Sequence, residues 1–210
     1  ARWGLAELLA ESGGSVWGPR MARLRGAGRR EAVARLGLWA GLALLMPAVA
    51  AAQPLSAAAD EVKAAYLYKF IGYVEWPESA LPAPGSPLVI GVVGADAVEA
   101  ELSRVLVGRT ALGRPLVARK VAPGNSTDDL QVLFVGDVDL ARSAWLQRLR
   151  NRPILIVTDA PQGLDAGGAL NFVLIKGHLR FEASLRAVDR AGLKISSRLL
   201  ALARRVVGAP

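Results

Sequence analysis

Three short runs leave little choice of fold. L-V-I-G-V-V-G (88–94), V-L-F-V-G (132–136) and I-L-I-V-T-D (154–159) are apolar almost without interruption. A strand with one wet face alternates apolar and polar residues, whereas a strand without alternation is buried on both faces. Such strands belong to parallel sheets, because the crossover between parallel neighbours lays a helix on a face of the sheet. The intervening segments agree. A-D-A-V-E-A-E-L-S-R-V-L (95–106) reads as a helix, P-L-V-A-R-K-V (115–121) as a strand and 138–150 as a helix. L-N-F-V-L-I (170–175) and H-L-R-F-E-A (178–183) form a hairpin turning at Lys176-Gly177, and helices over 184–191 and 196–206 close the chain. The expected fold is α/β, a single three-layer domain. Its sheet is mostly parallel with an antiparallel terminal hairpin, and helices cover both faces.

Ahead of the sheet, a helical pattern begins at Ala57. Val62, Ala65, Tyr66, Lys69, Phe70 and Tyr73 recur at steps of three and four, so they are expected on one face. Pro77 and L-P-A-P-G-S-P (81–87) end the helix. Five of the chain's twelve aromatics fall within 66–77, including every tyrosine. A core helix, a partner-binding face and a membrane-lying helix would each explain that concentration. Tyr66, Phe70 and Tyr73 are expected to dock the helix on the sheet. Tyr68 and Trp76 lie off that face or beyond its end, and exposed aromatics of that kind anchor protein interfaces. The helix is thus read as partly core and partly partner surface.

The formal charge of +8 is unevenly placed. Seven arginines and three glutamates precede residue 53, which leaves 19 Lys+Arg against 15 Asp+Glu beyond it. An excess so small and scattered gives no reason to invoke nucleic acid. The early charge belongs to a leader. From Met21 a basic segment runs into L-G-L-W-A-G-L-A-L-L-M (36–46), then Pro47 and the small-residue sites A-V-A and A-A-A (48–52). That order is the layout of a secretory signal, 21–52, with an uncleaved anchor as the competing reading. Positive-inside logic puts the domain, 53–210, outside the cytoplasm either way. Residues 1–20 do not fit the signal and are expected to be an upstream extension ahead of Met21.

Little in the domain suggests chemistry. Without cysteine there is no disulfide, zinc-thiolate site or thiol nucleophile. His178 is the single histidine, beside the hairpin turn, and neither a triad nor a zinc site forms around it. G-V-V-G-A-D (91–96) lacks the third glycine of a dinucleotide loop, and Gly167-Gly168 reads as a turn before a strand. Three acids, Asp96, Asp137 and Asp159, follow strand ends, where α/β sheets bind ligands. They could line a ligand crevice or hold a cation. More simply, Asp96 and Asp137 cap helices and Asp159 starts a turn. No catalytic residue, metal site or cofactor is assigned, and a hydrolase reading lacks a pair of groups to carry proton transfer.

In the last helix, Ser196 or Ser197 is expected as the cap. Leu199, Leu200, Leu202, Ala203 and Val206 are expected to face inward, with Arg204 and Arg205 at the negative end of the dipole. Arg198 is misplaced by that logic, a cation near a helix start, and is assigned to an acid or to a partner.

Three segments, in order, resemble the YfiR-like family of periplasmic proteins. They are K-A-A-Y-L-Y-K-F-I-G-Y-V-E-W-P, N-F-V-L-I-K-G-H-L-R-F-E-A-S and A-G-L-K-I-S-S-R-L-L-A-L-A. Between them, Gly108-Arg109-Thr110-Ala111-Leu112-Gly113-Arg114-Pro115 is similar to a further family element. The resemblance covers about residues 57–207. It implies a periplasmic regulator, not an enzyme, that binds an inner-membrane diguanylate cyclase or sensor kinase and holds it inactive. A lower cyclic di-GMP level and control of biofilm would follow. It implies a homodimer, with membrane contact only through the partner or an uncleaved signal. Relatives that carry cysteines could be under disulfide control; this chain could not. Tyr68, Trp76 and Arg198 are the expected partner contacts. A small-ligand sensor using Asp96, Asp137 and Asp159 is the alternative.

Overall fold

The computed structural model describes residues 55–136 and 143–208. In chain order the elements are α1 (Leu55–Ile71), β1 (Val74–Glu75), a 3-10 turn (Glu78–Ala80), β2 (Leu88–Val93), α2 (Asp96–Val105), β3 (Thr110–Ala111) and β4 (Arg114–Lys120). There follow β5 (Leu130–Val135), α3 (Ser143–Arg148), β6 (Leu155–Thr158), β7 (Leu170–Ile175) and β8 (His178–Ser184). The chain closes with α4 (Leu185–Arg190), β9 (Lys194–Ile195), α5 (Ser197–Leu200) and β10 (Arg205–Val207). Part of the helix expected over 138–150 lies outside the described residues.

One sheet of eight strands runs in the order β10-β8-β7-β6-β5-β2-β4-β3, and β1 pairs with β9 in a separate ribbon. The five strands from β4 to β7 are mutually parallel. Every residue of β2, β5 and β6 is buried, as apolar runs without alternation require. Alternate residues of these strands point to opposite faces and build two separate cores. On one face Ile90, Val92, Val132, Phe134, Leu155 and Val157 meet α1, α2, α4 and α5. On the other, Val89, Val93, Leu133, Val135 and Ile156 meet Trp145 and Leu146 of α3 and Leu149 just after it. The fold is therefore the expected α/β arrangement.

Both tight hairpins use one turn chemistry. Leu112-Gly113 between β3 and β4 has φ of 51° and 70°, and Lys176-Gly177 between β7 and β8 has 50° and 78°. Two consecutive positive φ angles fit the right-handed strand twist, and glycine takes one of them without steric cost.

Three expectations need correction. The buried stripe of α1 is Ala64, Leu67, Phe70 and Ile71, continuing to Val74. Val62 and Tyr73 are exposed, so the docking face is rotated from the one the tyrosines suggested. Both stripes have helical spacing; the aliphatic one wins because a tyrosine buried outright must also satisfy its hydroxyl. Tyr66 and Phe70 do dock. They join Phe134, Phe172 and Phe181 in a cluster containing all four phenylalanines of the chain, with ring centroids 5.2–6.1 Å apart.

The second correction concerns the C-terminus. Ser196 caps α5 by accepting from the Arg198 amide, but the helix stops at Leu200. Leu202 is exposed, and the chain turns into β10, parallel to β8. Arg204 and Arg205 are not at a helix end. They grip Glu182 of β8, with Nη1 of Arg204 at 2.6 Å and Nη2 of Arg205 at 2.7 Å. Glu182 has a side chain only 5% exposed, and a buried carboxylate needs such partners. The third correction follows from the second: the β7–β8 hairpin is not the sheet edge, because β10 covers it.

Candidate functional site

Trp76 was expected as an exposed anchor. It is instead 8% exposed, and its Nε1 donates to the Gln131 carbonyl at 3.2 Å. Gln131 is buried too. Its Oε1 accepts from the Val89 amide at 2.8 Å, where the β2–β5 register shifts, and its Nε2 donates to the Ala80 carbonyl. One glutamine thus fills a gap in the ladder and straps the Trp76–Ala80 turn to the sheet. The aromatic run stops at Trp-Pro because the tryptophan ends the core contact and the proline starts the turn. Gln131 went unremarked in the sequence; a polar residue opening an apolar run was the available signal.

Tyr68 is half-buried, with the Arg109 guanidinium 5.7 Å from its ring centroid, a cation–π distance. Arg198 is exposed at the start of α5, and among the described residues it makes no ion pair. Different contacts hold Tyr68, Trp76 and Arg198.

The ends of β2, β5 and β6 lie side by side at one edge of the sheet. Asp96 does not cap α2: Ala95 is the cap residue, without a side-chain bond, and Asp96 is exposed with the Lys120 ammonium at 2.6 Å. Asp159 receives the Lys63 ammonium at 2.6 Å, and Asp60 takes the same lysine at 3.2 Å. Burial works to lower the Lys63 pKa, but Asp159 and then Asp60 outweigh it and hold the ammonium above its usual range. Asp137 lies outside the described residues. A cation at Asp96 and Asp159 would have to displace two ammonium groups. Among the described residues no three His, Cys, Asp or Glu side chains are grouped to hold a metal. His178 is exposed beside its turn, as expected.

Beneath Asp159 lies a buried polar knot. Thr158 Oγ1 donates to Asn171 Oδ1 at 2.7 Å, and the Ala160 amide reaches the same oxygen at 3.3 Å. Gly163 and Gly168 pass close enough that neither has room for a Cβ. Gly167-Gly168 is the expected turn before β7.

An apolar groove of about 480 Å³ separates α1 from the β7–β8 hairpin. Ala58, Val62 and Tyr66 form one wall, Leu174 and Leu179 the other, and Arg180 the rim. Val62 and Leu174 are 41% and 66% exposed.

A family model described as YfiR/HmsC-like matches residues 60–204, from the first half of α1 to the approach to β10. The chain belongs to the YfiR/HmsC-like family. That assignment agrees with the resemblance carried by the three sequence segments. At the level of the family, YfiR/HmsC-like proteins are periplasmic regulators of the cyclic di-GMP pathway rather than catalysts. No curated protein matches the chain significantly. Among solved structures, a conserved domain protein from Vibrio cholerae O1 biovar eltor str. N16961 is similar at 14% identity and a TM-score of 0.41. The match covers 70% of this chain and 60% of the Vibrio chain. Among the described residues of this YfiR/HmsC-like chain, no helix is long and apolar enough to cross a membrane. The expected signal, 21–52, lies outside the described residues.

Proposed function

We propose that this chain is a periplasmic adaptor that binds an inner-membrane signalling protein, foremost a diguanylate cyclase, and holds it inactive. The family match over residues 60–204 carries this reading. The mechanism is a population shift: the adaptor binds the inactive state of its partner more tightly and so favours it by the difference in affinity. The partner surface we assign is the α1–hairpin groove, with Tyr68 and Arg198 as separate contacts outside its lining. Exposed apolar side chains grouped in a concave surface are typical of contact sites. Trp76, being buried, contributes indirectly by fixing the turn at Glu78–Ala80.

The test uses the tagged chain to recover partners from host membranes. Recovery of a diguanylate cyclase or sensor kinase supports the adaptor. Recovery of no membrane signalling protein, under conditions that retain weak complexes, sinks it and favours a ligand sensor. Val62→Glu and Leu174→Glu each place a charge on an exposed side chain, where surface changes cost stability about 0.5 kcal/mol or less. Each is expected to lower partner capture about tenfold or more, as loss of an apolar contact at an interface centre does, and to raise cyclic di-GMP in the host. Unchanged capture by both variants would remove the groove from the contact surface. N-terminal sequencing of the exported protein is expected to start between residues 51 and 53; a start upstream of residue 36 would mean the leader is retained.

A further inference from the structure

A second cavity, of about 580 Å³, shares no lining residue with the groove and lies between the turn after α3, the β6–β7 connection, α4 and the end of β10. Three guanidinium groups line it: Arg150, Arg186 and Arg190. Asp165 and Asp189 are also in the lining, yet among the described residues neither forms an ion pair with any of the three arginines. Asp165 lies within electrostatic reach of Arg205, whose cation it favours. Two of the arginines are held by backbone instead. Arg150 Nη2 donates to the Asp165 carbonyl at 2.9 Å, and Arg190 Nε donates to the Arg186 carbonyl at 3.1 Å.

Two glycines leave room for the arginine side chains. Gly167, at φ 112°, lies so close that a Cβ there would sit 2.6 Å from Arg150 Nε; Gly208, at φ 74°, would put one 3.0 Å from Arg186 Nε. Both glycines have backbone angles and clearances that a side chain would spoil. Arg150 Nε is itself buried and has no acceptor among the described residues. Burial, and then the Arg190 charge, lower the pKa of Arg150, so these two cations repel each other without an anion between them. On the cavity wall, Ser184 Oγ accepts from the Ala187 amide, which leaves its hydroxyl proton to donate.

We propose that this cavity binds a small phosphate-bearing anion between Arg150, Arg186 and Arg190. Guanidinium forks match the oxygens of a phosphate in pairs, and several of them around one concavity recognise two or more negative charges. Ser184 would add a neutral donor. The site is distinct from the groove assigned to the membrane partner and does not depend on that assignment.

Inorganic phosphate is the probe, titrated into the full chain by calorimetry against chloride at equal ionic strength. Saturable binding of phosphate is expected. Arg186→Gln with Arg190→Gln is expected to weaken it about tenfold or more, as loss of charge-assisted bonds does. Both side chains are exposed, so the variant's melting temperature without phosphate reports whether the fold is kept. No saturable heat, or equal binding by the folded double variant, overturns the proposal. Vesicles of phosphatidylglycerol separate the sources of phosphate. Sedimentation with vesicles that free phosphate competes away places a lipid headgroup in the site; binding of free phosphate without sedimentation points to a soluble ligand.

Discussion

Gly163→Ala is expected to destabilise the domain by about 3 kcal/mol, the upper range for overpacking a core, and to lower its melting temperature by about 10 °C. A Cβ at this position would come closer than 3.0 Å to both Thr158 Oγ1 and Asn171 Oδ1. Those atoms are bonded to each other in side chains 1% exposed, and Asn171 Oδ1 also serves the Ala160 amide. Short side chains on adjacent strands have no room to retreat, and retreat would leave buried polar groups unpaired. Thermal unfolding followed by circular dichroism checks this. Asn171→Ala alone is expected to cost about 1–3 kcal/mol, because the Ala160 amide loses its acceptor and the Thr158 hydroxyl keeps only the Leu170 carbonyl at 3.3 Å. Combined with Gly163→Ala it should cost less than the sum, because the truncated asparagine vacates part of the clash. A Gly163→Ala protein melting within about 2 °C of the parent would show that the β6–β7 turn yields, contrary to this packing.

The second large effect is at the sheet edge and depends on pH. Arg205 first, and Arg204 with it, hold the Glu182 carboxyl below its ordinary value of 4.5, against burial, which acts to raise it. The folded-state pKa is depressed, so the stabilisation is fully present above the unfolded value and is lost as pH falls through the folded one. Glu182→Gln removes it at every pH. The expected cost at neutral pH is about 2 kcal/mol, below the 3–5 kcal/mol for breaking a fully buried pair, because the stranded guanidiniums are half in water. The gap from the parent should narrow as pH drops below about 4.5. Arg204→Ala with Arg205→Ala does the opposite: it strands a carboxylate that is 5% exposed. That variant is expected to lose about 3–5 kcal/mol at neutral pH. It should recover part of the loss as acid neutralises the carboxyl, whose pKa burial would now raise. Denaturant melts from pH 3 to 8 test both signs. Parallel curves for the two variants would refute the asymmetry.

Legibility in the sequence followed the range of the forces. β2, β5 and β6 were readable because burial on both faces leaves a one-dimensional signature. The β7–β8 hairpin was readable because Lys176-Gly177 dictates its own turn. The segment 196–206 was misread because Leu199, Leu200, Leu202 and Ala203 have helical spacing, whereas the decision to leave the helix rests on Glu182, over twenty residues away in sequence. The face of α1 was misread for a related reason: two stripes compete locally, and only the sheet chooses between them. Of the candidate site, Tyr68 and Arg198 are at least partly accessible, but Trp76 is taken by Gln131, a partner no spacing rule points to. The aspartates were correctly placed at strand ends for Asp96 and Asp159, yet their lysine partners come from β4 and α1.

The two cores have one further consequence. Trp3, Trp17 and Trp39 all precede residue 53, so a chain beginning there keeps two tryptophans. Trp76 belongs to one core and Trp145 to the other. Each side of the sheet therefore has its own fluorophore. With Trp76→Phe and Trp145→Phe proteins, intrinsic emission becomes a layer-by-layer optical readout, able to tell whether occupancy of the arginine cavity or of the α1 groove is felt on one side of the sheet or both.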